Sequence, residues 1–295
     1  MEIKEEVKMH TEEVERIITK YLPPEEGFQK TVIEAMNYSF LAGGKRLRPM
    51  LMLETYRLFG GESQVIEPFM AAIEMIHTYS LIHDDLPAMD DDEYRRGRKT
   101  THIVFGEAMG ILAGDGLLNL AFETALKALE AEPGNPGVAK ALSVLAHNAG
   151  IYGMLGGQVV DVESEGMPVG REKLDFIYEL KTGALIEAAM LIGAVLGGAV
   201  EAEQELVSRA AKDVGLAFQI QDDILDVTGD QAVLGKPIGS DEKNEKTTYV
   251  TLRGLDQAAK DVENISNRAI RTMQSIPVQN AYLNKLLKYL IGREM

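Results

Sequence analysis

Aspartate residues are concentrated in two short windows of this 295-residue sequence. Nine of the 16 Asp lie within residues 84–92 and 222–230. Two carboxylates about 4 Å apart repel each other by roughly 4 kcal/mol at an effective dielectric constant near 20, so such clusters are costly unless water or a cation neutralises them. A solvated acidic surface explains one such cluster. Two clusters, each at the end of an apolar helix, favour cation binding.

The second window has the spacing of a helical metal site. Asp222 and Asp226 are four residues apart and therefore share one helix face, which Gln219 joins from three residues before. Carboxylate and water ligands suit Mg²⁺, which commonly uses one or two carboxylates together with substrate phosphates.

The first window, DDLPAMDDD, is less regular. On a continuous helix Asp91 would align with Asp84, whereas Asp90 would lie about 240° round the axis. Pro87 interrupts the helix, so spacing alone leaves open whether Asp90 or Asp91 joins Asp84 at a cation.

Basic residues accompany both acidic windows. Arg presents a planar fork of donors to phosphate oxygens, and the Gly43-Gly44 pair lets the backbone approach a ligand closely. Taken singly, each basic residue is better explained as a solvated surface charge, but the whole set suggests a polyanion bound from both sides. The basic set comprises Lys45, Arg46, Arg48, Arg95, Arg96, Arg98, Lys99, Lys181, Lys236, Lys243 and Lys246.

A possible phosphate loop and two histidines near the first Asp window also need to be assessed. The stretch from Gly229 to Lys236 is not a Walker phosphate loop, because its spacing is one residue too long and Pro237 replaces the required Ser or Thr. His83 is turned 100° away from the neighbouring Asp84, which predicts a packing role. His77 shares the face of Asp84 and is predicted to contact a ligand.

The composition narrows the class of protein. The absence of Cys excludes thiolate catalysis, Cys-ligated zinc and disulfides. The net charge of −16 makes nucleic acid and anionic membrane surfaces poor partners. The N-terminal sequence lacks the pattern of a signal peptide. Residues 184–200 are apolar but shorter than a bilayer span and interrupted by Glu187, so we expect a buried helix and a cytoplasmic protein.

The elements that must position these groups are helices. Apolar residues recur at helical spacing almost throughout, and no segment shows sustained strand alternation, so the sequence predicts an all-α fold. Breaks are expected at Pro and Gly clusters, which divide the chain into about ten helices forming one domain over residues 1–295 around a deep central cavity. The expected breaks lie at 23–24, 43–44, 60–61, 87, 133–137, 166–170, 229–239 and 277.

Five motifs in this order give the sequence a family resemblance over essentially its whole length. The motifs are GGKRLRP at 43–49, SLIHDDLPAMDDDEYRRG at 80–97, KTGAL at 181–185, FQIQDDILD at 218–226 and GKPIGSDEKNEKTTYV at 235–250. Together they resemble the short-chain trans-isoprenyl diphosphate synthases, and specifically the bacterial farnesyl diphosphate synthases.

The resemblance implies a homodimeric helical enzyme whose two Asp motifs face each other and bind three Mg²⁺ ions. It implies metal ligands at Asp84, Asp85, Asp90, Asp222 and Asp226, which selects Asp90 over Asp91. It implies allylic diphosphate contacts at Arg95, Lys181, Gln219, Lys236 and Lys246, with Thr182 near the reacting carbon. It implies isopentenyl diphosphate contacts at Lys45, Arg48, His77 and Arg96. The roles of Asp91, Asp92 and Glu93 stay open.

The implied reaction is ionisation of the allylic diphosphate, addition of isopentenyl diphosphate and loss of a proton. Metal ions and lysines stabilise the leaving diphosphate, while Gln219 and Thr182 stabilise the allylic cation. Tyr79 and Ser80 lie one turn before Asp84, and the resemblance implies that a bulky residue at Tyr79 stops growth at fifteen carbons. The alternative is that Tyr79 is only a core aromatic.

Four other interpretations compete with this one. A geranylgeranyl diphosphate synthase would differ chiefly at the pocket floor around Tyr79. A class I terpene cyclase normally carries Asn, Ser or Thr, and Glu in its second metal motif, unlike the Asp222–Asp226 segment. A catalytically silent partner subunit typically lacks one Asp motif or the substrate lysines, all of which are present. An acidic helical scaffold explains the composition but not the five motifs.

Overall fold

The computed structural model describes residues 3–228 and 247–291, and helices make up nearly all of its regular structure. The all-α prediction is confirmed. Ten of the α-helices in these residues have eleven or more residues, as expected. The α-helices are α1 (Ile3–Ile18), α2 (Lys30–Phe40), α3 (Leu47–Leu58), α4 (Glu67–Asp84), α5 (Thr101–Phe105), α6 (Glu107–Leu126), α7 (Ala128–Ala131), α8 (Pro136–Ala149), α9 (Met154–Val162), α10 (Arg171–Ile177), α11 (Ala184–Leu196), α12 (Glu201–Thr228), α13 (Tyr249–Arg253), α14 (Leu255–Gln274) and α15 (Ala281–Ile291).

Helix ends follow the Pro and Gly clusters. The expected breaks all fall at helix boundaries, except that 229–239 lies outside the described residues. Pro136 is the first residue of α8, where its missing N–H costs no helical hydrogen bond. The segment 184–200 is the buried helix α11, which ends at Leu196.

Three kinds of short element were not expected from the sequence. Tyr94–Arg95 (β1) and Arg98–Lys99 (β2) form an antiparallel hairpin, and strands of two residues are too short to show alternation. Two 3₁₀ turns span Thr19–Tyr21 and Gln64–Ile66. A π-helix, Tyr178–Gly183, joins α10 to α11.

The described helices pack into two compact units. The first unit comprises Glu5–Met50 and Ser63–Leu142. The second unit comprises Leu51–Glu62 and the described residues from 143 onward, together with residues 3–4. The boundaries fall inside α1, α3 and α8 and in the segment between α3 and α4. A single domain over residues 1–295 stays a prediction.

Helix α4 is the core helix of the first unit. It packs against α6 and α2, and its side chains are buried on several sides, including Phe69, Met70 and Ile76. Gln64–Asp84 is long and apolar enough to meet the length and composition criteria of a membrane span, with 78% of the tested window buried in the protein. Burial of this apolar surface is therefore provided by the neighbouring helices of the first unit.

Helix α12 organises the second unit. It packs against α14, α11 and the π-helix. Gly215 on α12 lies so close to Gly183 that a Cβ on Gly215 would be 2.7 Å from the Gly183 Cα. Gln219 follows Gly215 by about one helical turn, so the close approach of the two glycines brings Gln219 beside the π-helix.

Candidate active site

The first Asp motif begins where α4 ends. Asp84 is the last residue of α4, and the Asp90 N–H donates a hydrogen bond to the Asp84 carbonyl at 2.8 Å. Asp91 has a left-handed backbone with φ of 51°, and its N–H bonds to the Leu86 carbonyl at 3.2 Å. The loop thus folds the backbone of Asp90 onto the helix end at Asp84, and the choice of Asp90 over Asp91 as a metal ligand stays a prediction.

Asp85 forms an ion pair with Arg95 of the hairpin. Its side chain is enclosed, with 3% of the residue exposed, and the Arg95 Nε donates to Oδ1 at 2.6 Å. Burial raises the pKa of Asp85, and the hydrogen bond and positive charge of Arg95 oppose that rise. Arg95 also lies 3.5 Å from Asp92. The structure therefore brings together a predicted metal ligand and a predicted diphosphate ligand.

His77 lies in a strongly positive environment on α4. Burial and the positive charge of Arg48, followed by those of Arg96, Arg95 and Arg46, lower the pKa of His77 well below its ordinary value. The imidazole is consequently neutral at pH 7. A cluster of guanidinium groups around a neutral ring is suited to binding an anion with several negative charges.

Arg96 is fixed by its backbone and by the glycine loop. Its φ is 53°, and its Nη1 donates to the Gly43 carbonyl. A Cβ on Gly44 would lie 2.8 Å from the Arg96 guanidinium, so the loop leaves room for this side chain only because Gly44 has none. Arg96 thus packs against the Gly43-Gly44 pair. The exposed Lys45 and the half-buried Arg48 follow this pair directly in the chain.

Arg46 differs from its basic neighbours because it is a buried structural residue. Its Nη1 donates to Glu74 Oε1 at 2.7 Å and its Nη2 donates to the Phe40 carbonyl at 2.6 Å. Glu74 lies on α4 three residues before His77, so this ion pair ties the glycine loop to the helix that carries His77. The sequence pattern gave no sign of Glu74, which sits in an otherwise apolar run.

Tyr79 is buried on α4 one turn before Asp84. It is 7% exposed, and its ring meets the His83 ring edge to face with centroids 5.8 Å apart. The His83 Nε2 lies 3.1 Å from the Ile111 carbonyl, and a Cβ on Gly114 would clash with this ring at 2.0 Å. His83 therefore packs against the aromatic ring. The neighbouring Ser80 Oγ donates to the carbonyl of His77 at 3.0 Å.

A cleft of about 130 Å³ in the second unit contains three predicted substrate ligands. Lys181 and Thr182 reach it from the π-helix and Gln219 from α12. The Thr182 Oγ1 donates to Gln219 Oε1 at 2.8 Å, and the Lys181 Nζ donates to Asp161 Oδ2 at 2.6 Å. π-Turns frequently occur at functional sites. Asp161 was missed from the sequence, because its partner Lys181 is 20 residues away.

The three Asp of the second motif have different surroundings. Asp222 is half-buried, whereas Asp223 and Asp226 are buried. Asp223 accepts hydrogen bonds from the hydroxyl of Tyr178 and the backbone N–H of Tyr249. The helical face shared by Asp222 and Asp226 is thus distinct from the position of Asp223, as the spacing predicts.

The donor chemistry of both motifs fits Mg²⁺. In the part of the chain that the structure describes, no three His, Asp or Glu side chains form a ready metal cluster. Magnesium commonly needs only one or two carboxylates, with water and phosphate oxygens completing its shell. Asp84 beside Asp90, and Asp222 on the face of Asp226, each offer such a partial set. Lys236 and Lys246 lie outside the described residues.

Comparison with known proteins identifies the family. The polyprenyl synthetase family model matches residues 29–286. The chain is 42% identical to the farnesyl diphosphate synthase of Escherichia coli, covering 99% of both chains. It is 45% identical to the geranylgeranyl diphosphate synthase of Cyanophora paradoxa, covering 85% of this chain and 83% of the other.

Solved structures agree. The structure of a geranyltransferase from Helicobacter pylori complexed with magnesium and isoprenyl diphosphate superposes with a TM-score of 0.85 at 31% identity, covering 99% of this chain and 97% of the other. The chain belongs to the polyprenyl synthetase family. The resemblance noted in the motifs, and with it the prediction of a prenyltransferase, is confirmed.

Proposed function

We propose that this chain is a farnesyl diphosphate synthase that condenses isopentenyl diphosphate with dimethylallyl and geranyl diphosphates. The observation that carries the proposal is the cleft in which Lys181, Thr182 and Gln219 meet beside the second Asp motif. A cation for a diphosphate and oxygen dipoles for a carbocation are the two kinds of group that this reaction requires.

The residues have separate proposed roles. Magnesium, when bound, neutralises the charge that develops on the leaving diphosphate. Three ions are proposed, held by Asp84, Asp85, Asp90, Asp222 and Asp226. The allylic diphosphate is proposed to bind Arg95, Lys181, Thr182, Gln219, Lys236 and Lys246. Isopentenyl diphosphate is proposed to bind Lys45, Arg48, His77 and Arg96.

The proposed reaction begins with breakage of the allylic C–O bond, whose electron pair leaves with the diphosphate. Lys181 and Arg95 stabilise that diphosphate, and the oxygens of Thr182 and Gln219 stabilise the allylic cation. The double bond of isopentenyl diphosphate then forms the new C–C bond, and a proton is lost to the departed diphosphate. Because the leaving group accepts the proton, no side-chain base is needed.

Product length is proposed to depend on Tyr79. Its buried ring lies one turn before Asp84 and is supported by His83, as a wall for a growing chain requires. We expect Tyr79→Ala to shift products from fifteen carbons to twenty or more. An unchanged product distribution would contradict the floor role and leave Tyr79 as a core aromatic.

Two further properties are proposed for the whole protein. The first is a homodimer, for which exposed apolar residues on α5 and α6, including Val104, Ile111 and Leu112, offer a surface to cover. Light scattering after size-exclusion chromatography gives the mass directly, and a mass near the 32.4 kDa of one chain would contradict this. The second is a cytoplasmic location.

Incubation of the purified protein with Mg²⁺, isopentenyl diphosphate and either dimethylallyl or geranyl diphosphate tests the function. We expect a fifteen-carbon product that disappears when the metal is chelated. A twenty-carbon product would identify a geranylgeranyl diphosphate synthase, the alternative favoured by the relative from Cyanophora paradoxa. Absence of condensation with both starters would contradict the proposal and favour a silent subunit.

A further inference from the structure

Asp223 is the centre of a buried hydrogen-bond network in the second unit. It is 3% exposed, and its Oδ2 accepts from the hydroxyl of Tyr178 and from the N–H of Tyr249 at 2.8 Å. Its Oδ1 accepts from the Gln219 Nε2 at 3.3 Å. The network therefore joins the π-helix, α12 and the start of α13.

The network is surrounded by apolar side chains. Tyr178 and Tyr249 belong to a buried cluster with Ile220 and Ile224 of α12. A carboxylate in such a place is costly unless several donors satisfy it, and the donors in turn are held by the packed cluster. Asp223 lies about 100° round the helix from Asp222 and so does not share the face of the proposed metal ligands.

The network also determines which way the Gln219 amide points. The Gln219 Nε2 donates to Asp223 Oδ1, so the nitrogen end of the amide faces Asp223. The amide oxygen then faces the cleft side, where the Thr182 Oγ1 donates to it at 2.8 Å. Reversal of the amide would turn its positive end toward Thr182 and the cleft.

We infer that Asp223 is a positioning residue, which acts by holding the oxygen of Gln219 toward the reacting carbon rather than by binding metal. This inference rests on the proposed function, in which the oxygens of Gln219 and Thr182 stabilise the allylic cation. Misdirection of that oxygen removes stabilisation that exists only once the cation forms, so kcat falls while ground-state binding of the diphosphates is kept.

The test combines steady-state kinetics with a double-mutant cycle. Asp223→Asn keeps the side-chain size but presents an amide nitrogen that competes with Gln219 for orientation. We expect kcat to fall on the order of 10- to 100-fold, less than the loss of a directly contacting group, with KM for both diphosphates changed less than about threefold. In a Gln219→Ala background the same change should lower kcat less than about threefold further.

The control is Asp213→Asn on the same helix. Asp213 lies outside the cleft, where its carboxylate pairs with Arg268 at 2.6 Å, and its replacement should leave kcat unchanged. Circular dichroism and thermal unfolding compare the folding of all variants. If Asp223→Asn does not fold, Tyr178→Phe replaces it in the double-mutant cycle, because this change removes one hydrogen-bond donor to Asp223. We then expect a smaller fall in kcat, again with little change in KM.

Each outcome decides the matter. Equal effects of Asp223→Asn with and without Gln219, or a raised Mg²⁺ requirement with unchanged kcat at saturating metal, would overturn the positioning role. An unchanged kcat would overturn it too. Failure of the unmodified protein to condense either starter would overturn the proposed function together with this inference, so the two failures are distinguishable.

Discussion

The Asp-Asp pairs that begin the two acidic motifs, Asp84-Asp85 and Asp222-Asp223, each contain a buried second aspartate, and these two carboxylates are neutralised in different ways. Asp85 in the first unit is held by a guanidinium, with the Arg95 Nε 2.6 Å from its Oδ1. Asp223 in the second unit is held by uncharged donors, namely a tyrosine hydroxyl, a backbone N–H and a glutamine amide. Both residues are 3% exposed.

The kind of partner determines whether each carboxylate can be released to bind another group. An arginine on a two-residue strand can transfer from a carboxylate to a phosphate, which is a similar bidentate acceptor, and so release Asp85 for a metal ion. Neutral donors within a packed apolar cluster have no competing anion to bind. Asp85 and Asp223 hold the same position in their motifs, but their hydrogen-bond partners differ. We therefore infer the role of each residue from its partners and not from its position in the motif.

The largest effects on activity are expected from replacing the basic residue that is paired with a carboxylate in each unit. These are Arg95, which pairs with Asp85, and Lys181, which pairs with Asp161. Arg95→Ala and Lys181→Ala should each lower kcat/KM on the order of 10²- to 10³-fold, because both remove charge from the leaving diphosphate. Steady-state kinetics with geranyl diphosphate measure this. Arg171→Ala is the control, since Arg171 is an exposed arginine that pairs with Asp175 at 3.4 Å, and its replacement is expected to change kcat/KM little.

The next effect separates the two buried aspartates by metal dependence. Asp85→Asn should raise the Mg²⁺ concentration that gives half-maximal activity on the order of tenfold, as loss of a metal-supporting group does. Asp223→Asn should leave it unchanged while lowering kcat. A magnesium titration of the two variants measures both quantities, and equal shifts would remove the distinction between the two residues.

A smaller effect is expected on the pH dependence of stability, through His77 and the arginines around it. The lowered pKa of His77 means that unfolded chains bind a proton below pH 6.5 that the folded chain does not, so the free energy of unfolding decreases as pH falls through that range. His77→Gln should remove up to about 1.4 kcal/mol per pH unit of this slope. Urea denaturation between pH 5 and 7.5 compares the two proteins, and identical slopes would refute it.

The smallest effect is expected on the stability of the second region. Tyr178→Phe removes a hydroxyl donor from a buried carboxylate and should lower the free energy of unfolding by about 1–2 kcal/mol. Chemical denaturation measures it. Tyr152→Phe is the control, because Tyr152 is 71% exposed and its replacement should change stability by less than about 0.5 kcal/mol.

Features encoded locally were predictable from the sequence. Helix ends at Pro23-Pro24 and Gly60-Gly61 follow from backbone restrictions, and the shared face of Asp222 and Asp226 follows from the helical period. Spacing left Asp90 and Asp91 as equal candidates, since the loop after Pro87 has no fixed period.

Features that depend on tertiary contacts were not predictable. Tyr178 is 45 residues from Asp223 in the chain, and Tyr249 is 26 residues from it, so no local pattern connects them. The partners Glu74 and Asp161 were hidden for the same reason. The π-helix has a composition similar to that of an α-helix, and the close approach of its backbone to Gly157 and Gly215 involves residues far away in the chain.

In the π-helix between α10 and α11, the number of residues in the turn matters as much as their types. Arg171 to Leu196 is one continuous helical run, and its central turn is one residue wider than an α-turn. That extra residue rotates Lys181 and Thr182 by about 100° relative to the buried face of α11. A chain shortened by one residue in this turn would keep both side chains and lose their alignment, so insertions and deletions here deserve the scrutiny usually given to substitutions.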